Sequence, residues 1–148
     1  MMTNPPKLAP EAYYALLFPQ QAIPAWALEK MELFVPNEFI LREERVETVL
    51  VTQIVGTDHP SYGNKVRWID LLTCTKKSSN FALRNWPGFL NAKTSNITLA
   101  HIAGTDKYYI YFGGNHRVGA LKLADKKYIT CTVAVAYPSP HIPKLPLL

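Results

Sequence analysis

The chain has 148 residues, 48% of them apolar and 18% charged, with a formal net charge of +5. That length fits one domain, and the apolar fraction supports a folded globule with a real core. No apolar run approaches the roughly 18 residues of a membrane-spanning helix, the first residues lack the segments of a secretory signal, and Cys74 and Cys131 have neither CxxC nor zinc-ligand spacing.

These features point to a cytoplasmic protein with reduced thiols. Charge is unevenly spread. Residues 29–58 hold three Lys/Arg against seven Asp/Glu, whereas residues 60–93 hold six basic groups against Asp70 alone. Lys65, Arg67, Lys76, Lys77 and Arg84 are therefore candidate contacts to a phosphate-bearing partner such as nucleic acid. An ordinary solvated surface explains them equally well.

The residues through Leu8 read as extended. Pro10 suits a first helical turn, so residues 10–18 predict a short helix closed by Pro19. Residues 24–34 predict a second helix ended by Pro36, with Trp26, Met31 and Phe34 for packing. From Val46 the period becomes two and β-branched residues dominate, which predicts a buried strand over 46–55. A long turn region follows, in which Asp58 and His59 are either part of a surface turn or an acidic–imidazole pair able to approach the glycine junction. Residues 66–72 predict another strand, with Asp70 near its end. Residues 76–90 read ambiguously, as a short helix broken at Trp86-Pro87-Gly88.

The last third reads more clearly. Strands are predicted over 97–100, 107–112 and 128–136, and a helix over 115–124. Three tyrosines, Tyr108, Tyr109 and Tyr111, occupy the middle strand, where packing and stacking on a base are both open to them. The fold class is α+β or α/β: a small mixed sheet with flanking helices. The organisation is an N-terminal helical extension (1–40), a domain over 41–137 and a Pro-rich tail (138–148). The N-terminal helices and the tail are candidate surfaces for a protein partner or a homodimer.

Chemistry concentrates in Gly113-Gly114-Asn115-His116-Arg117, between strand and helix. The glycines permit a tight turn with uncovered N–H groups. The following helix start adds unpaired donors and a positive dipole end. Asn115 is placed to cap that helix. His116 and Arg117 would oppose the dipole in the first turn, so they call for an anion, either a ligand phosphate or a nearby carboxylate. His116 could move a proton near pH 7. Arg117 could grip a phosphate or form a buried ion pair. Gly119, costly in a helix, marks close packing, while Val118, Leu121 and Leu123 or Ala124 face the core. The stretch is neither a GxxxxGK[ST] loop nor a GxGxxG fingerprint, and no metal-ligand cluster stands out.

Residues 107–124 followed by Tyr128-Ile-Thr-Cys-Thr-Val resemble the ParB/sulfiredoxin superfamily. ParB nuclease-like members place an acidic residue, Gly, a variable residue, His and Arg after a strand, and Gly114, Asn115, His116 and Arg117 match. Sulfiredoxins carry Gly-Gly-Cys-His-Arg; Asn115 stands at the reactive cysteine, so the sulfinic-acid reductase reaction has no nucleophile here. Gly113 stands where many relatives place Asp or Glu. The likeness covers about residues 97–135 and extends back to Val46. It implies that Gly113, Gly114, Asn115, His116 and Arg117 hold the phosphate of a nucleotide or DNA. A nucleoside triphosphate with Mg²⁺ is the implied cofactor. Phosphoester hydrolysis or nuclease activity would use His116 and Arg117, with Asp58 or Asp70 in place of the missing acid. A noncatalytic DNA-binding or regulatory module and an interaction domain without a ligand are the alternatives.

Overall fold

A computed structural model describes residues 8–73 and 93–139. Among them are two α-helices, α1 (Pro10–Leu17) and α2 (Asn115–Leu123), and six strands in one mixed sheet. The strands are β1 (Glu32–Leu33), β2 (Phe39–Leu50), β3 (Ile54–Thr57), β4 (Thr98–Ile102), β5 (Tyr108–Tyr111) and β6 (Tyr128–Pro138). Their spatial order is β1-β3-β5-β4-β6-β2. β1, β3 and β5 run parallel, as do β4 and β6; β5 pairs antiparallel with β4, and β6 with β2. The sequence's small mixed α+β domain is what forms. No helix among the described residues is long and apolar enough to cross a membrane.

α2 covers one face of the sheet. Val118 and Leu121 meet Leu99, Ile110, Ile129, Cys131 and Val133 in the main core, and burial of each such aliphatic side chain contributes about 1.5–3 kcal/mol. Gly119 lets Leu71 approach so closely that an added Cβ would lie 2.6 Å from its Cδ1. On the other face Phe34, Ala100, Tyr109 and Ala136 form a smaller cluster. α1 inserts Tyr13 and Tyr14 against Ile69, Leu72 and Leu123. β5 serves both faces, with Tyr108 and Ile110 on one side and Tyr109 and Tyr111 on the other.

Three predicted elements are corrected. The helix over 24–34 is only a 3-10 turn, Ala25–Leu28, followed by β1. Met31 joins the main core while Phe34 joins the opposite cluster. A helix would place residues three apart on one face, so extended backbone is the conformation that serves both. The strand over 46–55 is two strands separated by the 3-10 turn Val51–Gln53. The Lys122 ammonium donates to the carbonyls of Val51 and Ile54 at 3.3 and 3.0 Å, so this break in the ladder leaves neither acceptor unpaired. The strand over 66–72 is a 3-10 helix, Trp68–Leu72. Trp68 and Leu71 pack toward the sheet and Ile69 and Leu72 toward α1, a burial pattern that alternation cannot supply. Residues 76–90, the tail beyond Ser139 and the candidate contacts Lys76, Lys77 and Arg84 lie outside the described residues.

β1 holds its place because Gly56 has no side chain. A Cβ there would sit 2.0 Å from the carbonyl oxygen of Glu32, its register partner in β1. Backbone cannot yield as a side chain can. Gly56→Ala is expected to lower the unfolding free energy by at least about 2 kcal/mol, measured by urea denaturation. An unchanged midpoint would show that β1 contributes nothing to the cooperative fold.

Candidate functional site

β3 and β5 are parallel neighbours, so their C-terminal ends emerge side by side. The Asp58 N–H continues the ladder by donating to the Ile110 carbonyl at 2.9 Å. In open sheets such carboxyl ends form the crevices where ligands sit. Here they bring two segments together: Thr57 to Tyr62 after β3, and Phe112 to Arg117 at the entry of α2.

A hydroxyl joins the two. Thr57 is fully buried; its Oγ1 donates to Asn115 Oδ1 at 2.6 Å and accepts the His59 N–H at 3.0 Å. Asn115 is therefore not the helix cap that its sequence position suggests. Gly114 takes the cap position with φ of 91°, and Asn115 begins the helix with its side chain turned inward. The buried amide is satisfied by Thr57 rather than by its own first turn.

The turn itself has three consecutive residues with positive φ: Phe112 at 63°, Gly113 at 91° and Gly114 at 91°. Glycine adopts this region freely and phenylalanine does not. Yet the Phe112 side chain is 80% exposed, packed against Tyr111 at 4.1 Å between ring centroids. Its N–H donates to Asp58 Oδ2 at 3.3 Å. No backbone carbonyl among the described residues accepts from the N–H groups of Gly113, Gly114 or Asn115.

The predicted site residues divide. Gly113, Gly114, Asn115, His116, Arg117 and Asp58 come together. Asp58 places a carboxylate against the turn where the sequence has Gly113, and it helps burial push the Tyr111 phenol up. Arg117 donates to Asn96 Oδ1 at 2.6 Å and to the Lys93 carbonyl at 3.2 Å. No carboxylate pairs with it among the described residues, so the ion pair considered from sequence is replaced by neutral acceptors. His116 meets Tyr62 edge-on at 6.0 Å, and Tyr62 stacks on His59 at 4.0 Å. The His59 Nδ1 accepts the Ser61 N–H at 3.1 Å.

Asp70 and Arg67 belong to a different constellation. Asp70 accepts the Arg67 N–H at 2.8 Å and the guanidinium at 2.7 Å, and Glu11 takes the same guanidinium at 3.0 Å. Bonding to Asp70 and then Glu11 pushes the Arg67 pKa up, and the Arg67 bond holds the Glu11 carboxyl down. The group ties α1 to the Trp68–Leu72 turn. Lys65 stays exposed on the connection that carries Tyr62.

Sequence reasoning passed over Thr57, Tyr62 and Phe112. A bulky residue immediately before two glycines was the available signal for Phe112, but the alternating strand pattern absorbed it. Compared with known proteins, the chain matches no family model, no curated protein and no solved structure.

The left-handed Phe112 stores strain that the core does not require. Phe112→Asn, which tolerates this conformation, is expected to raise the unfolding free energy by about 0.5–1 kcal/mol in chemical denaturation. A loss of stability would mean that the ring supports the fold through Tyr111.

Proposed function

We propose that the protein binds a nucleotide or nucleic-acid phosphate at the β5–α2 junction, as a ParB/sulfiredoxin-like domain would. One observation carries the reading: N–H groups that no backbone carbonyl among the described residues accepts, at a turn that opens a helix, lie beside a guanidinium whose acceptors among the described residues are neutral. An anion there gains the N–H groups, the helix dipole and the Arg117 charge together. His116 adds a second basic group one residue earlier. The His59–Tyr62–His116 ring series and the exposed Phe112 border the turn with aromatic faces, which suits a ligand that carries a base as well as a phosphate.

Asp58 favours a second reading, phosphoester hydrolysis. Its carboxylate stands at the turn, so the acid absent at position 113 is supplied from β3. His116 would then move a proton to or from the reacting oxygens and Arg117 would stabilise their charge. In this reading Asp58→Asn removes turnover and leaves affinity within about threefold. If the protein binds without reacting, both forms lack turnover.

Calorimetric titration with ATP and CTP, each with Mg²⁺, and with a single-stranded oligonucleotide separates these readings. Saturable binding that His116→Ala/Arg117→Ala weakens by at least about tenfold is expected. A folded double variant that binds as the parent does would remove the junction from consideration. No binding by the parent would overturn the phosphate reading itself.

A further inference from the structure

Lys122 lies at the other end of α2 and plays no part in the junction. Its ammonium sits between the indoles of Trp26 and Trp68, 4.8 Å from each ring centroid, and donates to the carbonyls of Ile54 and Val51. An ammonium has three donors. Those two are the hydrogen bonds it makes among the described residues, and no carboxylate pairs with it there. Glu29 acts on it without an ion-pair contact. Burial outweighs that attraction and lowers the amine to about 8. Among the described residues, rings and carbonyls contact the cation and no contacting group neutralises its charge.

Lys122 is also one of the residues that line an open cavity of about 380 Å³ between α1, the connection that follows it and the end of α2. That volume lies at the small end of ligand pockets, which span about 300–1,000 Å³. Pro24, Trp26 and Leu123 supply its apolar part, and Tyr14, Gln21 and the exposed Asp125 its polar part.

We propose that this cavity is a second ligand site, taking a small monocarboxylate with an apolar body, its carboxylate on Lys122 and its body along Trp26, Pro24 and Leu123. A carboxylate would use the third ammonium donor and supply the missing counter-charge. Asp125 opposes a second negative charge, so a phosphate dianion fits poorly. The phosphate junction could fail without touching this inference, because the two share no residue.

Among the described residues Glu29 acts on the ammonium, while Asp125 and Tyr14 border the cavity; the Tyr14 phenol is pushed up by burial and by Asp125, so it stays neutral. With burial lowering the Lys122 amine to about 8, carboxylate affinity should fall as the pH rises past about 8, where the free amine loses its proton.

The test is titration of the full chain with benzoate and with hexanoate, followed by tryptophan fluorescence and calorimetry, with benzylamine as the cationic control. Saturable binding of both acids is expected, weakened by at least about tenfold in Lys122→Met. Ala22→Trp should abolish binding by filling the cavity while leaving Lys122 in place, and it decides the matter if Lys122→Met does not fold. Absence of saturable acid binding would overturn the proposal. So would binding unchanged in the folded variants, or benzylamine binding as tightly as benzoate.

Discussion

The hydrogen bond from Thr57 to Asn115 sets the geometry on which the junction depends. Both residues are buried, so neither polar group can turn to water, and breaking the pair would leave an unsatisfied group in the core. It joins the end of β3 to the first residue of α2, and the parallel pairing of β3 with β5 supplies the rest of the frame. Without this bond the start of α2 could rotate about its axis. The left-handed turn before it would then lose its orientation toward Asp58 and His59.

Strain and exposure at Phe112 point in the same direction. A left-handed phenylalanine that packed into the core could be explained by packing. This one is mostly in solvent, so its conformation follows from its neighbours: Asp58 takes its N–H, and Gly113 and Gly114 continue the turn. Backbone strain of this kind persists where the surrounding structure over-determines it. Here the surroundings are the two strand ends and the Thr57–Asn115 bond. The uncovered N–H groups and the exposed ring are both consequences of one turn held from two sides.

Local signals were legible in the sequence. The strand, double glycine and helix at residues 107–124 were readable because propensity, turn chemistry and periodicity agree within a few residues. Pro10 marked α1 for the same reason. The failures involve residues whose conformation is decided elsewhere in the chain. Met31 and Phe34 belong to opposite sheet faces, which only the placement of β1 beside β3 reveals. Arg67 read as a basic contact and Asp70 as open to a structural or a catalytic role, yet each meets the other, and Glu11 reaches Arg67 across 56 positions. The arrival of Asp58 at the glycine turn required knowing that β3 and β5 are adjacent and parallel. So did the 58-residue link from Thr57 to Asn115, since an asparagine beside a helix start is locally a cap and becomes a core residue only when a partner hydroxyl is near.

The charges follow a related division. Arg67, Arg45 and Lys107 each pair with carboxylates, so little of their field remains for a partner. Arg117 and Lys122 are held by neutral acceptors instead, and they lie in the first and last turns of the same helix. The α2 dipole treats them differently. At its N-terminus it adds to the pull of Arg117 on an anion, whereas at its C-terminus it stabilises the Lys122 ammonium and partly offsets the cost of burying it. Desolvation still wins at Lys122, because two indoles and two carbonyls replace water without replacing a counter-ion. At the proposed junction site backbone and side chain would thus both draw an anion. At the site proposed beside Lys122 only the side chain would do so, against the dipole, which favours a singly charged ligand whose apolar body contributes much of the binding.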